Sequence, residues 1–212
     1  MRYGRVAAVI VVFVAILVGE WLWLRGEREQ AAVDGLPVVT TDAAAPGGPF
    51  SLVNHFGEPV TDQSYRGKYL VMVFGYTFCP DVCPTTLNTV VAAMALLGTK
   101  ADAVQPLFVT VDPDRDTPAV LAQYVASFDS RMIGLSGSPE QIRQVAQDYR
   151  VYVAKGDGGG DAYTVDHSAF VYLIGPDGRV LTYLKHDATP EAMAKALERL
   201  MTQQTSFGSQ WN

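Results

Sequence analysis

The stretch YLVMVFGYTFCPDVCPTTLNTVVAAMALLG, residues 69–98, decides the fold. Tyr69 to Tyr76 is an apolar, β-rich run without a charge, the pattern of a central strand buried on both faces. Pro84 suits the first turn of a helix, where its missing N–H is an orphan in any case. Thr85 to Leu97 supply the helix body and Gly98 the stop. A strand therefore runs into a loop that carries both cysteines of the chain, Cys79 and Cys83, and a helix starts at the second. That helix end offers free N–H groups and the positive pole of the dipole, which favour thiolate over thiol.

Working outward, strand and helix patterns alternate from Phe50 to about Met201 with no internal repeat. Phe50 to Val53 and Glu58 to Val60 flank Asn54-His55-Phe56-Gly57, an N-terminal hairpin signal. Leu107 to Val111 is the next strand, Thr117-Pro118 opens a helix to about Phe128, and Met132 to Leu135 forms a short strand. Ser138-Pro139-Glu140-Gln141 combines an N-cap, a proline at the first helical position and a capping-box glutamine for a helix to Tyr149. Ala169 to Ile174 and Val180 to Tyr183 flank the turn Gly175-Pro176-Asp177-Gly178. Thr189-Pro190 opens a last helix with Met193, Ala196, Leu197 and Leu200 on one face. The order predicts an α/β fold, a mixed sheet with helices on both faces.

The chain has 212 residues, is 49% apolar and 18% charged, and carries a net charge of −6. That balance, with no Lys/Arg cluster, argues against nucleic-acid binding, which needs cations to neutralise phosphates. Part of the apolar excess sits in Val6 to Leu24, where 17 of 19 residues are apolar. Nineteen helical residues span about 28 Å, close to a hydrocarbon core of about 30 Å. Residues 1–25 thus read as one N-terminal transmembrane helix, with Trp21 and Trp23 at interfacial depth. A cleaved signal peptide competes, but no A-x-A pattern follows the run directly. Arg2 and Arg5 precede the span, whereas Arg25 and Arg28 are interleaved with Glu27 and Glu29, which leaves the following domain on the outer side. The absence of an Arg/Ser-rich presequence favours the bacterial inner membrane with the domain in the periplasm over a mitochondrial inner membrane. Residues 26–49, rich in Ala, Gly, Pro and Thr, read as a flexible tether, 50–204 as the domain and 205–212 as a tail.

Such a compartment permits disulfides, and a structural one is the plain reading of two cysteines. A bridge between Cys79 and Cys83 closes so short a loop that it constrains almost nothing, so chemistry explains the pair better. The C-x3-C spacing gives a wider bite than C-x2-C. Two thiolates across a metal stand about 3.5 to 4 Å apart, given metal–sulfur bonds of about 2.3 Å. Zinc would want four protein ligands in a closed site, and the chain holds two cysteines and three histidines.

His167, in Tyr163-Thr164-Val165-Asp166-His167-Ser168-Ala169-Phe170, lies at the mouth of a strand. If that strand runs antiparallel beside Tyr69 to Tyr76, His167 and the cysteine loop share one sheet edge, as in a thioredoxin-like fold. The cis-proline usual there is absent. Two sulfurs and an imidazole suit copper, sulfur holding Cu(I) and imidazole helping to hold Cu(II). His55 and His186 read as solvated surface, and Asp81 and Asp166 as loop carboxylates or partners of the ligands. Asp112-Pro113-Asp114-Arg115-Asp116 mimics a calcium loop but lacks Gly at its sixth position and Glu at its twelfth, so a turn and helix cap explain it. The glycines of Gly156 to Asp161 read as a mobile loop near His167 rather than a phosphate loop.

GYTFCPDVCPTTL, VDPDRDTP from Val111 to Pro118, TVDHSAFVYLIGPDGR from Thr164 to Arg179 and PFSLVNHFGEPVTD from Pro49 to Asp62 together resemble the Sco/SenC family of copper-delivery proteins. The resemblance implies a thioredoxin-like domain held outside a membrane and Cys79, Cys83 and His167 as metal ligands for Cu(I) or Cu(II). It implies a copper metallochaperone role in assembling the dinuclear copper centre of cytochrome c oxidase subunit II, fed by an upstream copper donor or thiol reductant. Two alternatives stay open: a thiol-disulfide oxidoreductase acting on that subunit with Cys79 and Cys83 as redox pair, and a copper or redox sensor.

Overall fold

The computed structural model describes residues 14–21, 46–156 and 163–208, the last five of these by backbone alone. Residues 1–36 and 37–212 are separate compact units. In the first, residues 14–21 are helical with exposed side chains; the rest of the expected anchor, the expected tether to residue 45 and residues 157–162, where a mobile loop was expected, lie outside the described residues.

Nine described strands build the second unit: β1 Ser51–Asn54, β2 Pro59–Thr61, β3 Tyr69–Gly75, β4 Val104–Thr110, β5 Ile133–Ser136, β6 Val153–Lys155, β7 Val165–His167, β8 Phe170–Ile174 and β9 Val180–Lys185. Four helices interleave with them: α1 Val82–Leu97, α2 Pro118–Ala126, α3 Pro139–Asp148 and α4 Pro190–Gly208. Seven strands form one sheet in the order β2-β1-β5-β4-β3-β8-β9, while β6 and β7 pair separately. β3, β4 and β5 are mutually parallel, and β8 lies antiparallel to β3, with Val73 opposite Val171. This is a thioredoxin-like mixed sheet with helices on both faces.

β3 is buried along its whole length, as an apolar central run demands. Its alternate residues serve opposite faces. Leu70, Met72, Phe74 and Tyr76 join a cluster with Ile142, Val145 and Ala146 of α3. The opposite face takes α1 and α4, through buried Leu87, Val90 and Met94 of one and Met193, Ala196 and Leu197 of the other. Each buried Leu or Met there contributes about 1.5–3 kcal/mol. Among the described residues, one helical stretch, Val82–Ala103, is long and apolar enough to cross a membrane; its α1 part is the core helix just described.

The sequence cues hold locally. Ser138 Oγ accepts from Gln141 N at 3.2 Å and Gln141 Oε1 accepts from Ser138 N at 2.8 Å, closing the capping box of α3. β4 begins three residues earlier than the pattern suggests and includes Pro106. Proline is tolerated because β5 overlaps β4 only from Leu107, so Pro106 lies beyond that ladder. His55 is not solvated surface: its N donates to Gly134 O at 2.9 Å and its Nδ1 accepts from Gly134 N at 3.0 Å, pinning the hairpin to β5. Burial lowers its pKa. His186 is exposed, as read from the sequence.

Candidate metal centre

Parallel strands place functional loops at their carboxyl ends. β3 delivers the cysteine loop, β4 delivers Asp112 to Thr117, and the antiparallel β8 begins at the same edge, so the β7 segment before it arrives there too. Three segments far apart in sequence thus meet at one end of the sheet.

The cysteine loop has its own local logic. α1 starts at Val82, so Cys83 lies in the first turn and Pro84 just behind it. The N-cap residue, Asp81, makes no side-chain cap bond. Instead the orphan N–H of Cys83 donates to Cys79 Sγ at 3.4 Å, so one cysteine sulfur caps the helix that carries the other. Both cysteines are free thiols, Cys79 half-buried and Cys83 buried. Gly75 makes room for the second sulfur: a Cβ there would stand 2.6 Å from Cys83 Sγ and 2.8 Å from Phe108 Cε2.

His167 ends β7, where it pairs with Val153 of β6. Its Nε2 stands 3.6 Å from Cys83 Sγ, and its Nδ1 lies 3.1 Å from Val165 O. A proton on Nδ1 donated to that carbonyl leaves the Nε2 lone pair facing the sulfur, the tautomer a metal needs. The Tyr76 ring meets the imidazole edge-on at 5.8 Å between centroids. Cys83 and His167 are therefore already together, with Cys79 Sγ on the amide of Cys83. Among the described residues, no group of three or more His, Cys, Asp or Glu stands close enough to hold a metal ion. For all three to hold one ion, their side chains would have to draw closer together.

One electrostatic expectation fails. Although Cys83 sits at the helix N-terminus, burial pushes its thiol up to about 12. With 2% of its surface exposed, desolvation outweighs the lowering by its hydrogen bond to the Tyr76 backbone. Burial thus favours the thiol form at Cys83, whose proton a bound metal would displace.

The carboxylates that organise the site are not Asp81 and Asp166, the two the sequence offered as partners of the ligands. Asp166 is exposed, and Asp81 accepts from Thr85 Oγ1 at 3.5 Å. Asp116, with none of its surface exposed, accepts from Thr77 N at 3.0 Å, Thr77 Oγ1 at 2.5 Å and Thr110 Oγ1 at 2.6 Å. It thereby ties the start of the cysteine loop to the end of β4. Burial raises its pKa in spite of these donors. Asp112 takes Arg115 in an ion pair and accepts from Tyr163 Oη at 2.6 Å. The VDPDRDTP segment is more than a turn and cap; apart from its share in the family resemblance, its sequence shows only a density of carboxylates beside a strand end.

Residues 38–202 match the SCO1/SenC family model. A mitochondrial SCO2 homolog of Bos taurus is 40% identical over 186 residues, covering 86% of this chain and 70% of that one. Among solved structures, copper-bound ScoI of Bradyrhizobium japonicum shares 45% identity at a TM-score of 0.68, over 73% of this chain and 99% of that one. BsSco, described as a Sco-family cytochrome c oxidase assembly protein with a disulfide switch, shares 25% identity at a TM-score of 0.59, over 76% of this chain and 97% of that one. With the model spanning most of the folded part and relatives this similar carrying the same fold, the chain belongs to the SCO1/SenC family.

Proposed function

We propose that this protein is a copper metallochaperone, anchored by residues 1–25, whose Cys79, Cys83 and His167 bind one copper ion and pass it to cytochrome c oxidase subunit II. The carrying observation is the 3.6 Å approach of Cys83 Sγ and His167 Nε2, with Cys79 Sγ on the amide of Cys83. Copper-bound relatives of the same fold support the choice of metal. Two sulfurs and an imidazole hold Cu(I) with a coordination number of three, which leaves room for an incoming ligand of the acceptor. Transfer then proceeds by ligand exchange, one cysteine leaving as an acceptor thiolate arrives. The charge asymmetry around residues 6–24 supports a domain outside a bacterial inner membrane.

The test is titration of the reduced full chain in detergent with Cu(I) and Cu(II), beside His167→Ala and Cys79→Ser. Stoichiometric binding that weakens in both variants supports the site; binding unchanged in His167→Ala would sink the three-ligand model. A strain carrying Cys79→Ser should fail to metallate its oxidase under copper limitation. A second reading, dithiol exchange with the acceptor's cysteines, draws on the two adjacent free thiols and on the disulfide switch of the BsSco relative. It predicts that His167→Ala keeps full reductase activity, because exchange needs no imidazole ligand.

A further inference from the structure

Arg115 stands between the two halves of the site. From the loop after β4, its Nη1 donates to Tyr163 O at 3.0 Å and its Nε donates to Asp112. Its guanidinium lies 4.7 Å from the ring centroid of Phe78, the neighbour of Cys79, 5.7 Å from Tyr76 and 3.6 Å from Tyr163. Tyr163 in turn donates its hydroxyl to Asp112 and leads into β7, four residues before His167. Phe78 is 60% exposed, so burial does little to hold its ring, which faces the Arg115 cation.

We infer that Arg115 is a positioning residue, a latch whose planar guanidinium holds the cysteine loop through Phe78 and the His167 strand through Tyr163 at one fixed separation. This rests on the copper reading, since it explains how Cys83 and His167 are kept together before the ion arrives. The latch acts through shape as well as charge. A flat fork can bond Asp112 and Tyr163 O while stacking between two rings, whereas an ammonium cannot. Unlatched, the cysteines still bind Cu(I) as a pair, but the imidazole is no longer presented. Cu(II), which depends on nitrogen, suffers more.

The experiment compares the full-length parent with Arg115→Lys, which keeps a cation for Asp112, and Phe78→Ala, which alters an exposed ring. In the apo protein, the latch predicts faster amide exchange in both 77–83 and 165–168, and faster alkylation of Cys83, in each variant. In the copper-loaded protein it predicts Cu(II) affinity lower by about 10- to 100-fold, with a smaller loss for Cu(I). An Arg115→Lys protein with parental exchange rates and parental Cu(II) affinity would show that charge alone suffices and overturn the latch. So would exchange that rises in only one of the two segments. A parent that binds no copper refutes the metallochaperone reading, whereas the apo exchange and alkylation results judge the latch by themselves.

Discussion

Replacing Gly75 by alanine probes how the fold makes space for a sulfur. The added Cβ would lie 2.6 Å from Cys83 Sγ and 2.8 Å from Phe108 Cε2. Against an optimum of about 3.5 Å, both contacts are short by roughly 0.7 to 0.9 Å, so a neighbour has to move. Phe108 is fully buried and its ring packs on Tyr124 at 5.2 Å, which leaves it little freedom. The Cys83 side chain, at the start of α1 beside a loop, is the easier one to displace. Overpacking of this kind costs about 1–3 kcal/mol. Because the sulfur is the part that yields, the Cys83–His167 approach should open as well, and copper affinity should fall along with stability. Urea unfolding of the apo protein and competition titration with Cu(I) measure the two effects. Stability within about 0.5 kcal/mol of the parent together with parental affinity would refute the reasoning, since it would mean that the crowding around Gly75 is not real.

Asp116→Asn replaces an acceptor of three hydrogen bonds by a group whose amide is itself a donor; it should destabilise by about 1–3 kcal/mol and speed amide exchange at Thr77. Ser138→Ala removes the N-cap of α3 and should cost about 1 kcal/mol by urea unfolding with copper affinity unaltered. His55 gives a pH signature. Burial holds its folded pKa below the ordinary value, so the unfolded chain takes up a proton first as pH falls. The stability conferred by neutral His55 is full above about pH 6.5 and is lost as pH drops through the depressed folded value. Urea midpoints measured across that interval should fall more steeply for the parent than for His55→Gln; parallel profiles would contradict the assignment.

The parts of the fold that depend on neighbours in sequence were legible in it. The buried run of β3, the proline-opened helices and the Ser138–Gln141 box all rest on contacts within a few residues. The cysteine loop and His167 could be placed at one sheet edge because an antiparallel neighbour of β3 begins where β3 ends, and β8 pairs with β3 in that way. The β6–β7 ribbon was not legible: each strand has three residues, and their partners come from across a glycine-rich loop. The same limit hid Asp116 and Arg115. Asp116 serves a threonine 39 residues earlier, and Arg115 reaches a carbonyl 48 residues later, so the carboxylate-rich segment reads as a turn until the sheet places both ends beside it. The Cys83 thiol was misjudged for a related reason. A helix pole is written in local sequence, whereas the burial that opposes it comes from the packing around Gly75 and Phe108.

The central claim is that two sulfurs and one imidazole hold copper. X-ray absorption at the copper edge of the full chain loaded with one Cu(I) tests it directly. The account predicts two sulfur scatterers at about 2.3 Å and one nitrogen at about 2.0 Å, the nitrogen disappearing in His167→Ala. A two-sulfur spectrum in the parent, identical in His167→Ala, would contradict it.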